Sequence, residues 1–327
     1  MKAIVIARPG DLGSLEVREV ARPEAQADRI RVRVRACGLN RADLLQAKGH
    51  YPAPRGVPDD IPGLEYAGEV DAVGPDATGP LKVGDRVFGI VGGGGFAEYV
   101  VCPERMAVPI PEGLDFEAAA AVPEAFITAL DALEHQAEVR PGERVLIHAV
   151  GGGVGSAAVQ VARAMGCEVF GTSRTAEKLA QARGLGLDHP IDTSSLDFAE
   201  FIREFTGHRG VHVVIDHLGA SAFADNLDSL ATRGRLVLVG QLGGSSTEVD
   251  LRVLMAKRLK VVGTTLRARP IEEKVEATRR FAESVVPWLA RGIVRPVVDR
   301  VFAFEDIEGA TGRMSSNLGF GKVILRL

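Results

Sequence analysis

A glycine-rich loop lies between an apolar run and an amphipathic stretch near the middle of the chain. Residues 144–149 have the β-branched, apolar character of a buried parallel strand, and the helical spacing that follows ends at Gly166. Glycines at such a turn let backbone N–H groups approach a pyrophosphate, whose charge the dipole of the next helix favours. The pattern predicts a dinucleotide-binding turn rather than a merely flexible loop. The predicted contacts, spaced as Ala-x-x-Gly-x-x-Gly, are Ala149, Gly152, Gly153, Val154 and Gly155.

The end of the second predicted strand, 168–172, indicates which nucleotide is bound. An NAD-selective site usually has an acidic residue there, whereas this sequence continues with Ser173 and Arg174 and has Lys178 in the next predicted helix. A hydroxyl, a guanidinium and an ammonium group together can hold a 2′-phosphate through charge-assisted hydrogen bonds. We therefore expect NADPH as the cofactor. The alternative is that Arg174 and Lys178 are solvated surface charges.

Length and composition limit the other possibilities. The chain has 327 residues, of which 46% are hydrophobic and 25% charged, as is typical of a globular protein of about two domains. Its net charge of −4 gives no electrostatic basis for binding nucleic acid or an anionic membrane. Arginines alternate with apolar residues between Arg29 and Arg35, which predicts a half-buried strand with the arginines on its wet face.

The cysteines indicate the compartment. Only Cys37, Cys102 and Cys167 occur, at wide spacing and without a Cys-x-x-Cys pair. This spacing argues against a structural zinc ribbon or a thioredoxin-like redox centre. Because no signal peptide or long apolar span is recognisable either, we expect a reducing, cytoplasmic location.

Strand and helix patterns alternate from about residue 125 to residue 265, which predicts a doubly wound parallel sheet of Rossmann type. Its strands are expected at 144–149, 168–172, 190–191, 211–216, 235–240 and 260–265. Residues 1–122 are instead rich in strand and turn patterns, with one short helix near 41–48. The tail is expected to return to this first domain with a helix at 271–291, a strand near 297–301, a helix near 306 and a strand at 322–327. The sequence thus predicts an α/β protein with a β-rich domain at 1–122 plus 267–327 and a dinucleotide-binding domain at 123–266.

Several ordered motifs extend over nearly the whole chain. They are 40–46 (Asn-Arg-Ala-Asp-Leu-Leu-Gln), 49–52 (Gly-His-Tyr-Pro), 63–68 (Gly-Leu-Glu-Tyr-Ala-Gly), 122–129 (Val-Pro-Glu-Ala-Phe-Ile-Thr-Ala), the loop at 149–155 and 316–322 (Ser-Asn-Leu-Gly-Phe-Gly-Lys). In this order they resemble the zinc-independent NADPH:quinone oxidoreductase family of the medium-chain dehydrogenase/reductase superfamily. The resemblance implies a GroES-like catalytic domain, a Rossmann domain and a homodimer whose Rossmann sheets pair edge to edge.

The resemblance also bears on metal binding. Zinc-dependent relatives would have a cysteine near Asn40 and a histidine at Leu64. Here Leu64 replaces the histidine, and the nearby Cys37, a lone thiol without histidine partners, is interpreted as a small buried residue. No metal site is therefore expected. Without a metal, Asp43 and Glu65 are interpreted as structural hydrogen-bonding residues, with polar roles at the active site as the alternative.

Without a metal, the chemistry depends on holding an electron-poor acceptor close to the hydride of the nicotinamide. By resemblance, Asn40 and Tyr51 are expected to donate hydrogen bonds to the acceptor carbonyl. The alternatives are a loop-capping asparagine and a packing tyrosine.

His148, at the end of a predicted strand, is interpreted as a structural histidine satisfied by the backbone rather than a catalytic base.

Further cofactor contacts follow from the resemblance and from position in the chain. Thr128 is expected to open the helix that links the domains. Gly240 and Gln241 follow a Rossmann strand, where a ring can approach a residue without a side chain. Asn317 and Lys322 lie in the returning tail.

The leading prediction is an enzyme, an NADPH-dependent quinone oxidoreductase that transfers a hydride without a metal. An alternative enzyme would reduce the activated C=C bond of enones, alkenals or acrylates, because that reaction also needs only hydride delivery to an electrophile. An NADPH-binding regulatory or structural protein is the third possibility. The sequence does not separate the two reactions, because the shape of the acceptor pocket cannot be read from one chain.

Overall fold

The computed structural model describes residues 1–11 and 14–327 and divides the chain into two compact units. Unit 1 contains residues 1–127 and 266–327, and unit 2 contains residues 128–265. Both units combine helices with a sheet, so the α/β class expected from the sequence is confirmed.

In chain order, the strands are β1 (Lys2–Ile6), β2 (Leu15–Glu19), β3 (Arg29–Gly38), β4 (Glu65–Val73), β5 (Arg86–Ile90), β6 (Tyr99–Pro103), β7 (Ala107–Pro109), β8 (Arg144–Ile147), β9 (Glu168–Ser173), β10 (His189–Asp192), β11 (Val211–Asp216), β12 (Leu230–Leu238), β13 (Lys260–Gly263), β14 (Val298–Ala303) and β15 (Lys322–Arg326). The helices are α1 (Arg41–Ala47), α2 (Phe116–Ala120), α3 (Pro123–Leu130), α4 (Gly153–Ala164), α5 (Ala176–Arg183), α6 (Phe198–Phe205), α7 (Phe223–Ser229), α8 (Leu251–Lys257), α9 (Ile271–Ala290) and α10 (Ile307–Ser315). Short 3-10 helices at Glu104–Met106 and Gly219–Ala222 and a π-helix at Asp131–Gln136 complete the set for the described residues.

Unit 2 has a six-stranded parallel sheet in the order β10-β9-β8-β11-β12-β13. The strand order reverses between β8 and β11, and open α/β sheets bind their ligands beyond the carboxyl ends of the strands at such a point. Leu146, Phe170, Val214 and Leu236 from four of these strands are fully buried in one core. The doubly wound architecture predicted from the alternating patterns is confirmed.

Unit 1 has a seven-stranded sheet in the order β14-β15-β3-β4-β5-β7, with β6 also paired to β3, and a separate β1-β2 ribbon. Ile30, Val32 and Val34 of β3 are buried in the core of this unit. The arginines of β3 alternate with them on the wetter face, where Arg31 pairs with Asp71 and Arg35 pairs with Glu69. The predicted half-buried strand is therefore confirmed, with two of its four arginines paired with carboxylates of β4.

Three local predictions need correction. Helix α2 was not expected; it is started by the Asp115 carboxylate, which accepts a hydrogen bond from the backbone N–H of Ala118 at 2.7 Å. Strand β12 begins at Leu230, five residues before the predicted start. Thr128 does not open the linking helix, because α3 already begins at Pro123; proline suits a first helical position, where its missing N–H costs nothing.

Candidate functional site

The glycine loop of unit 2 has the backbone geometry that close approach of a phosphate requires. Ala149 adopts φ +53°, a left-handed conformation unusual for a residue with a side chain. A Cβ at Gly155 would overlap the carbonyl oxygen of Ala149, so only glycine lets α4 pack this closely on the turn after β8. At Gly152 an added Cβ would meet only the Ala149 oxygen, at 3.4 Å. The loop thus exposes backbone rather than side chains.

The first turn of α4 supplies the donors for an anion. The first hydrogen bond of this helix runs from the Ser156 N–H to the Gly152 carbonyl at 2.8 Å. The N–H groups of Gly153, Val154 and Gly155 consequently have no acceptor within the helix, as at every helix start. A pyrophosphate carries the charge that such a helix start favours.

The predicted 2′-phosphate residues lie at the end of β9, beside this loop. Ser173 is the last residue of the strand and is half-buried, and Arg174 is exposed. The methylene chain of Lys178, on α5, lies over Gly151, where an added Cβ would come within 2.6 Å of Lys178 Cδ. The structure therefore brings the lysine to the glycine loop and leaves the arginine in solvent.

The end of β12 also lies at the carboxyl edge of the sheet. The Gly240 N–H donates to the Asp216 carbonyl oxygen at 3.2 Å, and a Cβ at Gly240 would come within 3.2 Å of the His217 carbonyl oxygen. Gln241 is exposed immediately after it, while Thr128 is half-buried within α3. Gly240 is therefore at a close approach of two backbone segments.

His148 is a structural residue, but side chains rather than the backbone satisfy its ring. Its Nδ1 lies 2.8 Å from Thr172 Oγ1 and its Nε2 lies 2.6 Å from Asn226 Oδ1. The ring is fully buried, and this burial lowers the pKa of the imidazole. A neutral, doubly hydrogen-bonded histidine has no free nitrogen for acid–base catalysis.

Unit 1 contains a buried ion pair that connects the two ends of its fold. The Lys322 ammonium, on β15, lies 2.5 Å from Glu65 Oε1 at the start of β4. It also donates to the Leu39 carbonyl oxygen at 2.7 Å and to Asn40 Oδ1 at 2.6 Å. Lys322 is 5% exposed and Glu65 is fully buried. Each of the three ammonium protons therefore has an oxygen acceptor within unit 1.

This network also orients the Asn40 side chain. Asn40 Nδ2 donates to Glu65 Oε1 at 2.9 Å and to the Gly38 carbonyl oxygen at 3.3 Å. Both amide protons therefore have internal acceptors, and the amide oxygen accepts from Lys322. The geometry favours a structural role for Asn40 and for Lys322 over the direct acceptor and cofactor contacts predicted from the sequence.

Asp43 and Glu65 make the structural hydrogen bonds expected of them. Asp43 accepts from the backbone N–H groups of Asn40 at 2.7 Å and Gly63 at 3.0 Å. Glu65 Oε2 accepts from the backbone N–H of Glu124 at 2.8 Å. Burial raises the pKa of the Asp43 carboxyl group to about 6 despite these hydrogen bonds.

Arg267 holds the loop that carries Tyr51. Its guanidinium donates to the Tyr51 carbonyl oxygen at 3.1 Å, to the Gly92 carbonyl oxygen at 2.8 Å and to Gln46 Oε1. The guanidinium carbon also lies 5.1 Å from the centre of the Tyr51 ring, in cation–π contact. Arg267 is only 6% exposed. The sequence does not distinguish this arginine from Arg269, two residues later.

Asn317 follows α10 in a left-handed conformation, with φ +56°. Its Oδ1 accepts a hydrogen bond from Arg41 Nη2 at 2.6 Å, and its Nδ2 donates to the Ser315 carbonyl oxygen at 3.2 Å. The side chain is exposed. Asn317 thus connects the returning tail to the first turn of α1.

In residues 1–11 and 14–327, no three His, Cys, Asp or Glu side chains are grouped so that they could hold a metal ion. No helix in that part of the chain is both long enough and apolar enough to cross a membrane.

Comparison with known proteins places the chain in a family. Residues 26–112 match the alcohol dehydrogenase GroES-like domain, and residues 153–284 match a model described as zinc-binding dehydrogenase. The chain is 37% identical to the quinone oxidoreductase of Pseudomonas aeruginosa over 99% of both chains. The chain belongs to the quinone oxidoreductase family of the medium-chain dehydrogenase/reductase superfamily.

Solved structures similar to this chain share its fold. The structure of Escherichia coli quinone oxidoreductase complexed with NADPH is 28% identical, covers 100% of both chains and has a TM-score of 0.90. CurK enoyl reductase is 29% identical over 99% of this chain and 98% of its own, with a TM-score of 0.86. The GroES-like and Rossmann architecture expected from the sequence motifs is therefore confirmed.

Proposed function

We propose that the protein is an NADPH-dependent quinone oxidoreductase. The observation that carries this proposal is the bare glycine loop at the switch point of the parallel sheet, next to a β9 end that offers Ser173 and Arg174 and no acidic residue. Membership of the quinone oxidoreductase family supports the acceptor class.

The residues present fit NADPH. The missing side chain at Gly152 leaves a backbone cradle that a larger residue would fill, Gly155 lets α4 pack on the turn, and the N–H groups of α4 would bind the pyrophosphate. Ser173, Arg174 and Lys178 would hold the 2′-phosphate, and Gly240 with Gln241 would lie along the cofactor beyond β12. When bound, NADPH supplies a hydride for the acceptor.

The residues of unit 1 bind and polarise the acceptor. Tyr51 donates a hydrogen bond to the acceptor oxygen, on which negative charge develops. Arg267 fixes the backbone and ring of Tyr51, so that the phenol is oriented before the acceptor arrives. Lys322 and Glu65 keep Asn40 and its loop in place.

Reduction of an activated C=C bond is the second candidate function. The structural likeness to CurK enoyl reductase favours it, and the same hydride delivery would serve an enone. An NADPH-binding protein with a regulatory role is the third.

The deciding experiment measures NADPH oxidation with a panel of small quinones beside a panel of alkenals and enones. We expect the highest kcat/KM with quinones. Faster reduction of alkenals would favour the second function. Tight NADPH binding, seen as a thermal shift, without turnover on either panel would favour the regulatory protein and contradict the proposal.

Tyr51→Phe should lower kcat and leave the NADPH dissociation constant unchanged.

We also propose that the protein is a homodimer. The last strand of the unit 2 sheet, β13, has a free edge in the described chain, and exposed apolar side chains lie on it and near it: Val261, Met255, Leu251 and Leu242. Such an edge favours pairing with a second copy. Light scattering after gel filtration should give twice the chain mass, and Val261→Lys should shift it toward the monomer.

Two further proposals follow. The cofactor domain comprises residues 123–266 and the catalytic domain residues 1–122 plus 267–327, boundaries close to the two compact units. The location is the cytoplasm, which the three buried free thiols support.

A further inference from the structure

His217 is a buried histidine at the carboxyl edge of the unit 2 sheet. It directly follows β11 and is only 8% exposed. Its imidazole makes no hydrogen bond or ion pair with any residue that the structure describes, and its Nε2 atom is buried in this unpaired state. Native proteins leave few buried polar atoms unpaired, because each one costs its full desolvation penalty. An unpaired ring at the edge of the sheet where ligands bind therefore indicates a hydrogen bond that a ligand completes.

The polar groups next to His217 are all paired within unit 2. His148, at the end of the neighbouring strand, has a partner at each ring nitrogen. The Asp216 carboxylate accepts from the backbone N–H groups of Leu218 at 2.6 Å and Gly219 at 3.2 Å. The backbone carbonyl of His217 itself accepts from the Leu242 N–H at 3.0 Å. The imidazole of His217 thus differs from its surroundings, where the fold has supplied every other partner.

The sheet register places His217 at the point where the strand order reverses. Ile215 of β11 pairs with Ile147 of β8, and the His148 N–H donates to the Ile215 carbonyl oxygen at 3.1 Å. His217 lies two residues beyond this pair on β11, as Ala149 of the glycine loop does on β8. On the other side, a Cβ at Gly240 would come within 3.5 Å of His217 Cα. His217 therefore lies between the glycine loop and the end of β12.

The strand order also decides which half of the cofactor His217 serves. Strands β9 and β10 lie on one side of β8, and β11 and β12 lie on the other. The pyrophosphate belongs at the start of α4, and the 2′-phosphate is proposed for Ser173 and Arg174 at the end of β9. A dinucleotide extends across the switch point, so its nicotinamide riboside belongs on the side of β11 and β12. His217 is the first residue beyond the strand on that side.

The chemistry of the ring suits a ribose hydroxyl. Burial, followed by the charge of His148, lowers the pKa of the His217 imidazole to about 4. The ring is therefore neutral at neutral pH, with one donor and one acceptor nitrogen, and a hydroxyl group both donates and accepts. A half-turn about the Cβ–Cγ bond keeps the outline of the ring and exchanges Nε2 with Cε1, so packing alone does not fix which atom faces a ligand.

We propose that the His217 imidazole hydrogen-bonds to a hydroxyl group of the ribose on the nicotinamide side of NADPH, an inference that rests on the proposed function. The cofactor then supplies the partner that the fold withholds. His217 binds and orients the half of the cofactor that carries the hydride, and Ser173 and Arg174 hold the other half. The two ends of the cofactor are thus recognised by different strand ends of one sheet.

Calorimetric titration with two ligands tests the proposal. NADPH has both halves, whereas adenosine 2′,5′-bisphosphate has the adenine half with its 2′-phosphate and lacks the nicotinamide riboside. His217→Leu should raise the dissociation constant of NADPH by about threefold to tenfold, as the loss of one neutral hydrogen bond does, and leave that of the bisphosphate unchanged. His217→Gln, whose amide still donates and accepts, should retain most of the NADPH affinity. Arg174→Ala is the control for the other half and should weaken both ligands.

The thermal stability of the protein without cofactor separates this role from a structural one. The described chain gives the His217 ring no hydrogen bond, so His217→Leu should leave the Tm of the free protein unchanged or raise it. His148→Leu is the matched control, because it removes a buried histidine with two partners and should lower Tm. The thermal shift that NADPH gives should be smaller in His217→Leu than in wild type.

If His217→Leu does not fold, nitrogen NMR of the wild-type histidine rings replaces it, with His217→Gln to assign the signal. The His217 signal should shift when NADPH is added and stay in place when the bisphosphate is added. Unchanged NADPH affinity in His217→Leu, equal losses for the two ligands, or a fall in Tm as large as that of His148→Leu would overturn the inference. Wild-type protein that binds no NADPH, or binds it and reduces no quinone, would instead overturn the proposed function, so the two failures are distinguishable.

Discussion

Replacing Lys322 by methionine should destabilise unit 1 by about 3 kcal/mol. Breaking a buried ion pair by removing one partner typically costs about 3–5 kcal/mol, because the other charge is left buried without its counter-ion. Here the Glu65 carboxylate would keep two donors, the Asn40 amide and the Glu124 N–H, so the lower end of that range applies. The Leu39 carbonyl would also lose its donor. Methionine has a similar shape, so packing changes little.

The assay is urea unfolding followed by tryptophan fluorescence. The chain has a single tryptophan, Trp288, on α9 of unit 1, so the signal reports this unit. The double variant Glu65→Gln/Lys322→Met removes both charges and should recover part of the loss, with a coupling energy of about 2–3 kcal/mol. Lys48→Met, at an exposed position, should change stability by less than about 0.5 kcal/mol.

Two results would refute this reasoning. The first is a Lys322→Met variant as stable as wild type, and the second is a double variant whose loss equals the sum of the two single losses. Either would mean that Lys322 does not neutralise Glu65. A selective loss of NADPH affinity at unchanged stability would then support the direct cofactor contact predicted from the sequence.

Three further predictions follow from the same contacts. Gly155→Val should abolish the thermal shift given by NADPH and destabilise unit 2 by about 1–3 kcal/mol, because its side chain overlaps the Ala149 carbonyl; normal NADPH binding would contradict this. Arg174→Ala should weaken NADPH binding by roughly tenfold to a hundredfold, as loss of a charge-assisted hydrogen bond does, and spare NADH; equal loss for both cofactors would remove the phosphate role. The raised pKa of Glu124 means that the folded state binds the extra proton between pH 4.5 and about 8, so the stability that this proton contributes is lost as pH rises through that window. Glu124→Gln should flatten this part of the curve of Tm against pH, and an unchanged slope would count against it.

The Rossmann unit could be predicted from the sequence because its signals are local. An apolar strand, a glycine loop and an amphipathic helix follow one another within 144–166, and each fixes its neighbour by backbone geometry alone. The ends of elements were less accurate, as with β12, because β12 pairs with β11 from Leu230 onward through a contact that local sequence does not specify.

The polar cluster of unit 1 could not be predicted in the same way. Lys322 lies 282 residues from Asn40, its hydrogen-bonding partner, and no local pattern connects them. One signal was available: Glu65 stands among apolar and small residues at the start of a strand, and a carboxylate in such a position needs a cation. The signal shows that a partner must exist and does not identify it. Arg267 was missed for the same reason, since its acceptors lie more than 170 residues away.

The loss of the zinc ligands and the presence of the lysine are connected through Asn40. In zinc-dependent relatives the resemblance places a cysteine near this position, whereas here an amide takes its place and is bound on both sides by protein groups. A side chain held by Lys322 on its oxygen and by Glu65 on its nitrogen cannot turn to a substrate without breaking a buried network. The hydrogen-bond donor proposed for the acceptor is therefore Tyr51 rather than Asn40. Arg267 holds Tyr51 by its backbone carbonyl and its ring, so the buried charges and the proposed donor belong to separate residues.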